Sequence, residues 1–143
     1  MTTDTNRSLL QRPPAAESLF KAAELVDTAV ATARADAAWA KQARAAIRAA
    51  TLAVEHRLDD FSGPEGYAED IAAEEPRLLP ELEHLEETIA RLLVESWSVK
   101  PAEAQPTPDF LSRLLRLATE MRRVASLEFD LVHEAMNKPG GVD

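Results

Sequence analysis

Between its prolines and glycines this chain places apolar side chains at intervals of three and four residues, and that spacing dictates helices. Leu19, Ala23, Val26, Val30 and Ala33 form the first stripe, which predicts a helix over 16–35. Trp39, Ala43, Ala46, Ile47, Ala50, Val54, Leu58 and Phe61 form the second, over 37–61, with Asp36 placed to cap its start and "SGPEG" at 62–66 to stop it. Leu78, Leu82, Leu85, Ile89, Leu92 and Leu93 make the third, over 76–98, opened by Pro76 and ended by the proline-rich "KPAEAQPTP". Leu111, Leu114, Ala118, Met121, Ala125 and Val132 make the fourth, over 108–136. The stretch from Tyr67 to Glu75 reads as a short helical or irregular bridge. No alternating run is long enough for a strand. Four amphipathic stripes predict an all-α, antiparallel up-down four-helix bundle over 16–137, with a flexible segment 1–15 before it and a tail 138–143 after it.

Composition narrows the function classes. Without cysteine, disulfides, thiolate metal sites and cysteine nucleophiles are all excluded, so any metal would need His, Asp or Glu. A formal charge of −9 opposes nucleic acid and anionic lipid, and four Phe and one Tyr offer few stacking platforms for single strands. The N-terminal residues show no apolar signal core and no apolar run reaches membrane-spanning length, which predicts a cytoplasmic protein with no membrane partner. No Gly-rich phosphate loop, Ser-His-Asp set or zinc spacing is present.

Two stretches carry a resemblance. "EGYAEDIAAEEPRLLPELEHLEETIARLL" (65–93) and "RRVASLEFDLVHEAMNKPGGVD" (122–143) resemble the bacterial hemerythrin-like, or HHE-type, cation-binding proteins. Shared are a Gly-Tyr after the second helix, a Pro-rich start and a Glu-His pair in the third, a His-Glu in the fourth, and a tail with Gly-Gly and an acid. The resemblance implies a four-helix bundle around a diiron site that binds or senses oxygen. It also implies ligand positions, which fall on Leu58 and Ser62 in the second helix, His84 and Thr88 in the third, and Val124 and Phe129 in the fourth. Only His84 among these keeps an imidazole or carboxylate, and the first helix has no histidine at all. Iron in such a site needs several N and O donors at once, so the former site is expected to be a dry core into which Leu58, Val124 and Phe129 converge.

The remaining polar candidates each have a structural reading. His56 falls about 200° around its helix from Val54 and should face solvent, forming at most a two-ligand pair with Asp60. His84 sits at the edge of the third stripe, and His133 suits the negative end of the fourth helix. Glu55, Asp59, Glu81, Glu83, Glu86, Glu87 and Glu95 read as a solvated face. Glu128 differs, because Met121, Ala125 and Val132 enclose it, and a buried carboxylate there should pair with an arginine such as Arg48 or Arg57. Trp39 and Trp97 are expected to be at least half buried near the ends of the bundle.

Two functions compete. The first is a non-catalytic hemerythrin-like bundle that has lost its diiron site, holds no cofactor, and serves as a binding or regulatory module through a protein partner or self-association. The second is a diiron oxygen-binding protein with atypical ligands, drawn from Glu55, Asp60, His84, Glu87 and Glu128. A carrier of an apolar ligand in the bundle interior is a third possibility, although no residue selects the ligand.

Overall fold

The computed structural model describes residues 13–137, with side chains from 17 to 137. The expected tail at 138–143, and all of the N-terminal segment before Pro13, lie outside the described residues. What is described is all-helical, and among the described residues there is no strand. The α-helices are α1 (Pro13–Ala31), α2 (Ala37–Ser62), α3 (Ala68–Glu74), α4 (Leu79–Ser98) and α5 (Pro108–Met136), with single 3₁₀ turns at Pro76–Leu78 and Pro101–Glu103.

The first helix differs from its expected span at both ends. It begins at Pro13, inside the segment expected to be flexible, because proline fits the first turn of a helix. It stops at Ala31 rather than at residue 35. The Thr28 and Thr32 hydroxyls donate to the Glu24 and Thr28 carbonyls, and Ala33 N–H donates to Val30 O at 3.3 Å, which tightens the last turn. Residues 34–36 then turn the chain. Arg34 Nε reaches Asp36 Oδ2 at 2.6 Å, and the Asp36 carboxylate, on extended backbone (φ −140°), accepts from Trp39 N–H at 2.7 Å. That cap holds the Asp36 carboxyl below its ordinary value. Trp39 closes the corner by donating its indole N–H to Ala29 O at 2.8 Å, a carbonyl that the tightened turn has released.

The bridge after α2 is helical in its middle, forming α3. Gly63 N–H donates to Asp59 O at 2.8 Å and Tyr67 N–H to Asp60 O at 3.2 Å, so the "SGPEG" loop folds back against the helix it ends. A methyl group on Gly66 would stand 2.4 Å from Phe61 O, which is why a residue without Cβ is needed there. The fold-back delivers the Tyr67 ring to the core, edge-on to Phe61 with centroids 5.2 Å apart.

Packing joins α1 to α2 and α5, and α4 to α2 and α5. Arg77, just before α4, ion-pairs Glu134 near the end of α5, while Glu95 near the end of α4 pairs Arg116 near the start of α5. One apolar core runs through all four long helices. Val54, Leu82, Leu85, Ile89, Leu114, Met121 and Val124 lie inside it, and Leu58 packs against its edge, partly buried. No described helix is long and apolar enough to cross a membrane.

Candidate functional site

Three polar residues break into this core and meet one another. Arg57 and Glu128 lie on the buried faces of α2 and α5, each no more than 3% exposed, and Tyr67 arrives from the loop before α3. Their placement follows from helical phase. Arg57 stands three residues after Val54 and four before Phe61, both fully buried, so it belongs to the apolar stripe although its side chain is charged. Glu128 occupies the same kind of position between Val124 and Val132.

The contacts are close. Arg57 Nε donates to Glu128 Oε2 at 2.9 Å and lies 2.7 Å from Oε1, and Tyr67 O–H donates to the same Oε2. Arg57 Nη1 reaches the partly exposed Asp60 at 3.4 Å. Arg57 Nη2 and Glu128 Oε1 are buried without a hydrogen-bond partner. Burial pushes the Glu128 carboxyl above its ordinary value, and the adjacent Arg57 charge and the Tyr67 hydroxyl oppose that shift without cancelling it. Of the two arginines expected as partners, Arg57 is the one that pairs, and Arg48 is exposed elsewhere on α2.

The other site residues are dispersed. Glu55, His84 and Glu87 are exposed, with Glu87 pairing Arg91 at 3.2 Å, and Asp60 meets only the edge of the buried cluster. His56 and His133 are exposed too, His133 with a ring nitrogen 2.9 Å from Asn137 Nδ2. Of the positions implied by the resemblance, Val124 is buried and Leu58 partly so; the Ser62 hydroxyl donates to Leu58 O at 3.2 Å and the Thr88 hydroxyl to His84 O at 2.8 Å. Phe129 does not converge with them. It is 52% exposed and stacks on His133, because Glu128 takes the centre of the buried face and the next residue points about 100° away.

A diiron centre does not fit these residues. Among the described residues no group of three or more His, Cys, Asp or Glu side chains is arranged to hold a metal ion. Glu128, the one deeply buried carboxylate among the described residues, already has a guanidinium and a phenol as partners. Chemically, the arrangement orients a carboxylate and neutralises it.

Tyr67 was not anticipated as an interior residue, although its place directly after a glycine at a helix stop was a usable signal. Trp97 departs from expectation in the opposite sense, being 54% exposed. Its neighbour Ser96 turns inward instead, donating its hydroxyl to Leu93 O at 2.7 Å. Comparison with protein-family models, with curated proteins and with solved structures finds no match to this chain.

Proposed function

We propose that this chain is an antiparallel up-down four-helix bundle of the hemerythrin-like kind that has lost its diiron centre, and that it works as a non-catalytic, cytoplasmic protein-binding or regulatory module. The observation that carries the reading is the Arg57–Glu128–Tyr67 cluster in the core. In a carboxylate-and-histidine bundle, metal ions balance the interior acids. Here a guanidinium from α2 does that work, so Glu128 is charge-compensated within the chain itself. The resemblance in the two sequence stretches and the circuit of four long helices support the bundle class. The dispersed positions of His84, Glu87 and Glu55 argue against the diiron reading.

The test is direct. Protein produced with abundant iron is assayed for metal by mass spectrometry and for the near-ultraviolet and visible absorption of a ferric pair. Iron well below one atom per chain, with a flat visible spectrum, is the expected result. About two irons per chain, lost when Glu128 is changed to Gln or His84 to Ala, would overturn the proposal.

A further inference from the structure

Eight of the ten arginines among the described residues are ion-paired. The two that are not, Arg44 and Arg48, stand one turn apart on α2. Lys41, one turn before them, is also unpaired. Lys21 and Lys100 also lack ion pairs, but they stand singly on other segments, whereas on α2 three unpaired cations share one face of one helix. At 3.6 residues per turn, Lys41, Arg44, Arg48, Leu52 and Glu55 fall within an arc of about 80°.

That arc borders a groove of about 440 Å³ lined by Arg48, Thr51, Leu52 and Glu55 of α2, together with Ser96, Trp97, Val99 and Pro101 at the end of α4 and beyond. Its apolar rims are open to water: Leu52 is 52% exposed and Trp97 54%. An indole left half in solvent forgoes much of its burial energy, and Trp and Arg side by side are the residue types that dominate binding energy at interfaces.

We propose that this groove docks an acidic segment of a partner protein, whose aromatic or branched apolar side chain enters between Leu52 and Trp97 while its carboxylates meet Arg48, Arg44 and Lys41. This rests on the protein-binding reading above and names the surface and the chemistry of the partner. Glu55 at the far end of the groove sets the direction, because the acids of the partner are repelled there and drawn toward the start of α2. Three cations on a chain of charge −9 are too few to hold a nucleic acid backbone.

The probes are fluorescent helical peptides of about fifteen residues with Glu on one face and Leu, Phe or Trp anchors on the other, alongside versions in which Gln or Lys replaces every Glu. Binding is read by anisotropy, and its location by the two indole N–H signals in an NMR spectrum. The Glu peptides should bind, moving the Trp97 signal and leaving that of Trp39, with affinity falling as salt rises. The Gln peptides should bind at least about tenfold more weakly and the Lys peptides not at all. Trp97→Ala and Arg48→Glu should each weaken the Glu peptides about tenfold or more, whereas Glu55→Gln should tighten them. Leu52→Glu provides a second route to the same loss, with folding of every variant checked by circular dichroism.

Equal binding of all three peptide types, no binding of any Glu peptide, or indifference to Trp97→Ala would each overturn the proposal. So would self-association of the protein that Trp97→Ala abolishes, since the occupant would then be a second copy. Iron is measured on the same preparation, which separates the two proposals: iron-free protein that ignores the Glu peptides refutes the docking site alone, and iron-loaded protein that binds them refutes the loss of the metal centre alone.

Discussion

Arg57 and Glu128 show how a charged side chain can occupy an apolar stripe without disrupting it. Each would be costly alone, and each is tolerable because the other is within 3 Å. Arg57→Met or Glu128→Leu by itself should therefore destabilise the protein by about 3–5 kcal/mol, since the remaining charge is left buried and unpaired. The double variant should recover most of that loss, a coupling that urea denaturation of the four proteins will reveal; simple additivity would show that the pair is not coupled. Glu128 also makes a prediction about pH. Its folded carboxyl is raised above the ordinary value of 4.5, so between those two values the folded state binds a proton that the unfolded state has released. The corresponding contribution to stability is complete below 4.5 and is lost as pH rises through the folded value. Compared with Glu128→Gln, which cannot titrate, the wild type should lose stability as pH climbs from 4.5 toward neutrality. A difference that stays flat or runs the other way would mean that Arg57 outweighs burial.

At the scale of the elements, the connections do more than link helices. The turn after α2 approaches the Phe61 backbone so closely that Gly66→Ala would place a carbon 2.4 Å from a carbonyl oxygen. Backbone cannot step aside as a side-chain end can, so the loop must open, at a cost of about 1–3 kcal/mol. Because Tyr67 follows directly, Gly66→Ala should also loosen the Tyr67–Glu128 hydrogen bond, which would appear as faster amide exchange around Glu128. An unchanged exchange pattern would show that the loop absorbs the methyl locally. The break between α1 and α2 obeys a similar logic. Trp39→Phe keeps most of the packing but strands the Ala29 carbonyl in a buried position, which should cost about 1–3 kcal/mol in thermal or chemical unfolding.

For the whole molecule, the two tryptophans divide stability from recognition. Trp39 is fully buried, so Trp39→Ala should cost about 3–5 kcal/mol. Trp97 stands at the rim of a groove, and Trp97→Ala should leave stability within about 0.5 kcal/mol while removing the largest exposed apolar group on that face. Paired melting curves decide the matter: equal losses would place Trp97 in the core after all. Apart from Arg44 and Arg48 of α2, the described arginines each have an acidic partner, so the arginines free to meet an outside carboxylate stand on one side of one helix.

Helical class, the breaks after α2 and α4 and the core face of each long helix were legible in the sequence, because spacing of three and four is a local property that every residue reports about its own turn. Asp36 as a cap and Glu128 as a buried acid in need of an arginine were legible for the same reason. The end of α1 was not, because the tightened turn at Ala33 and the Trp39 indole bond to Ala29 O set it. Trp97 was misplaced because it stands one residue beyond the inward-facing Ser96 and hydrophobicity alone favours the larger apolar side chain, and Phe129 because the ligand register implied by the resemblance set it inside although it stands one residue beyond the buried Glu128. The partner of Glu128 was decided only by tertiary structure. Arg57 is 71 residues away in the chain and Tyr67 is 61, and periodicity fixes how a side chain points around its own helix axis but not which distant side chain will stand opposite it. That depends on how α2 and α5 are rotated against a shared core and on a loop tight enough to return Tyr67 to it. Both are set by packing among many side chains at once.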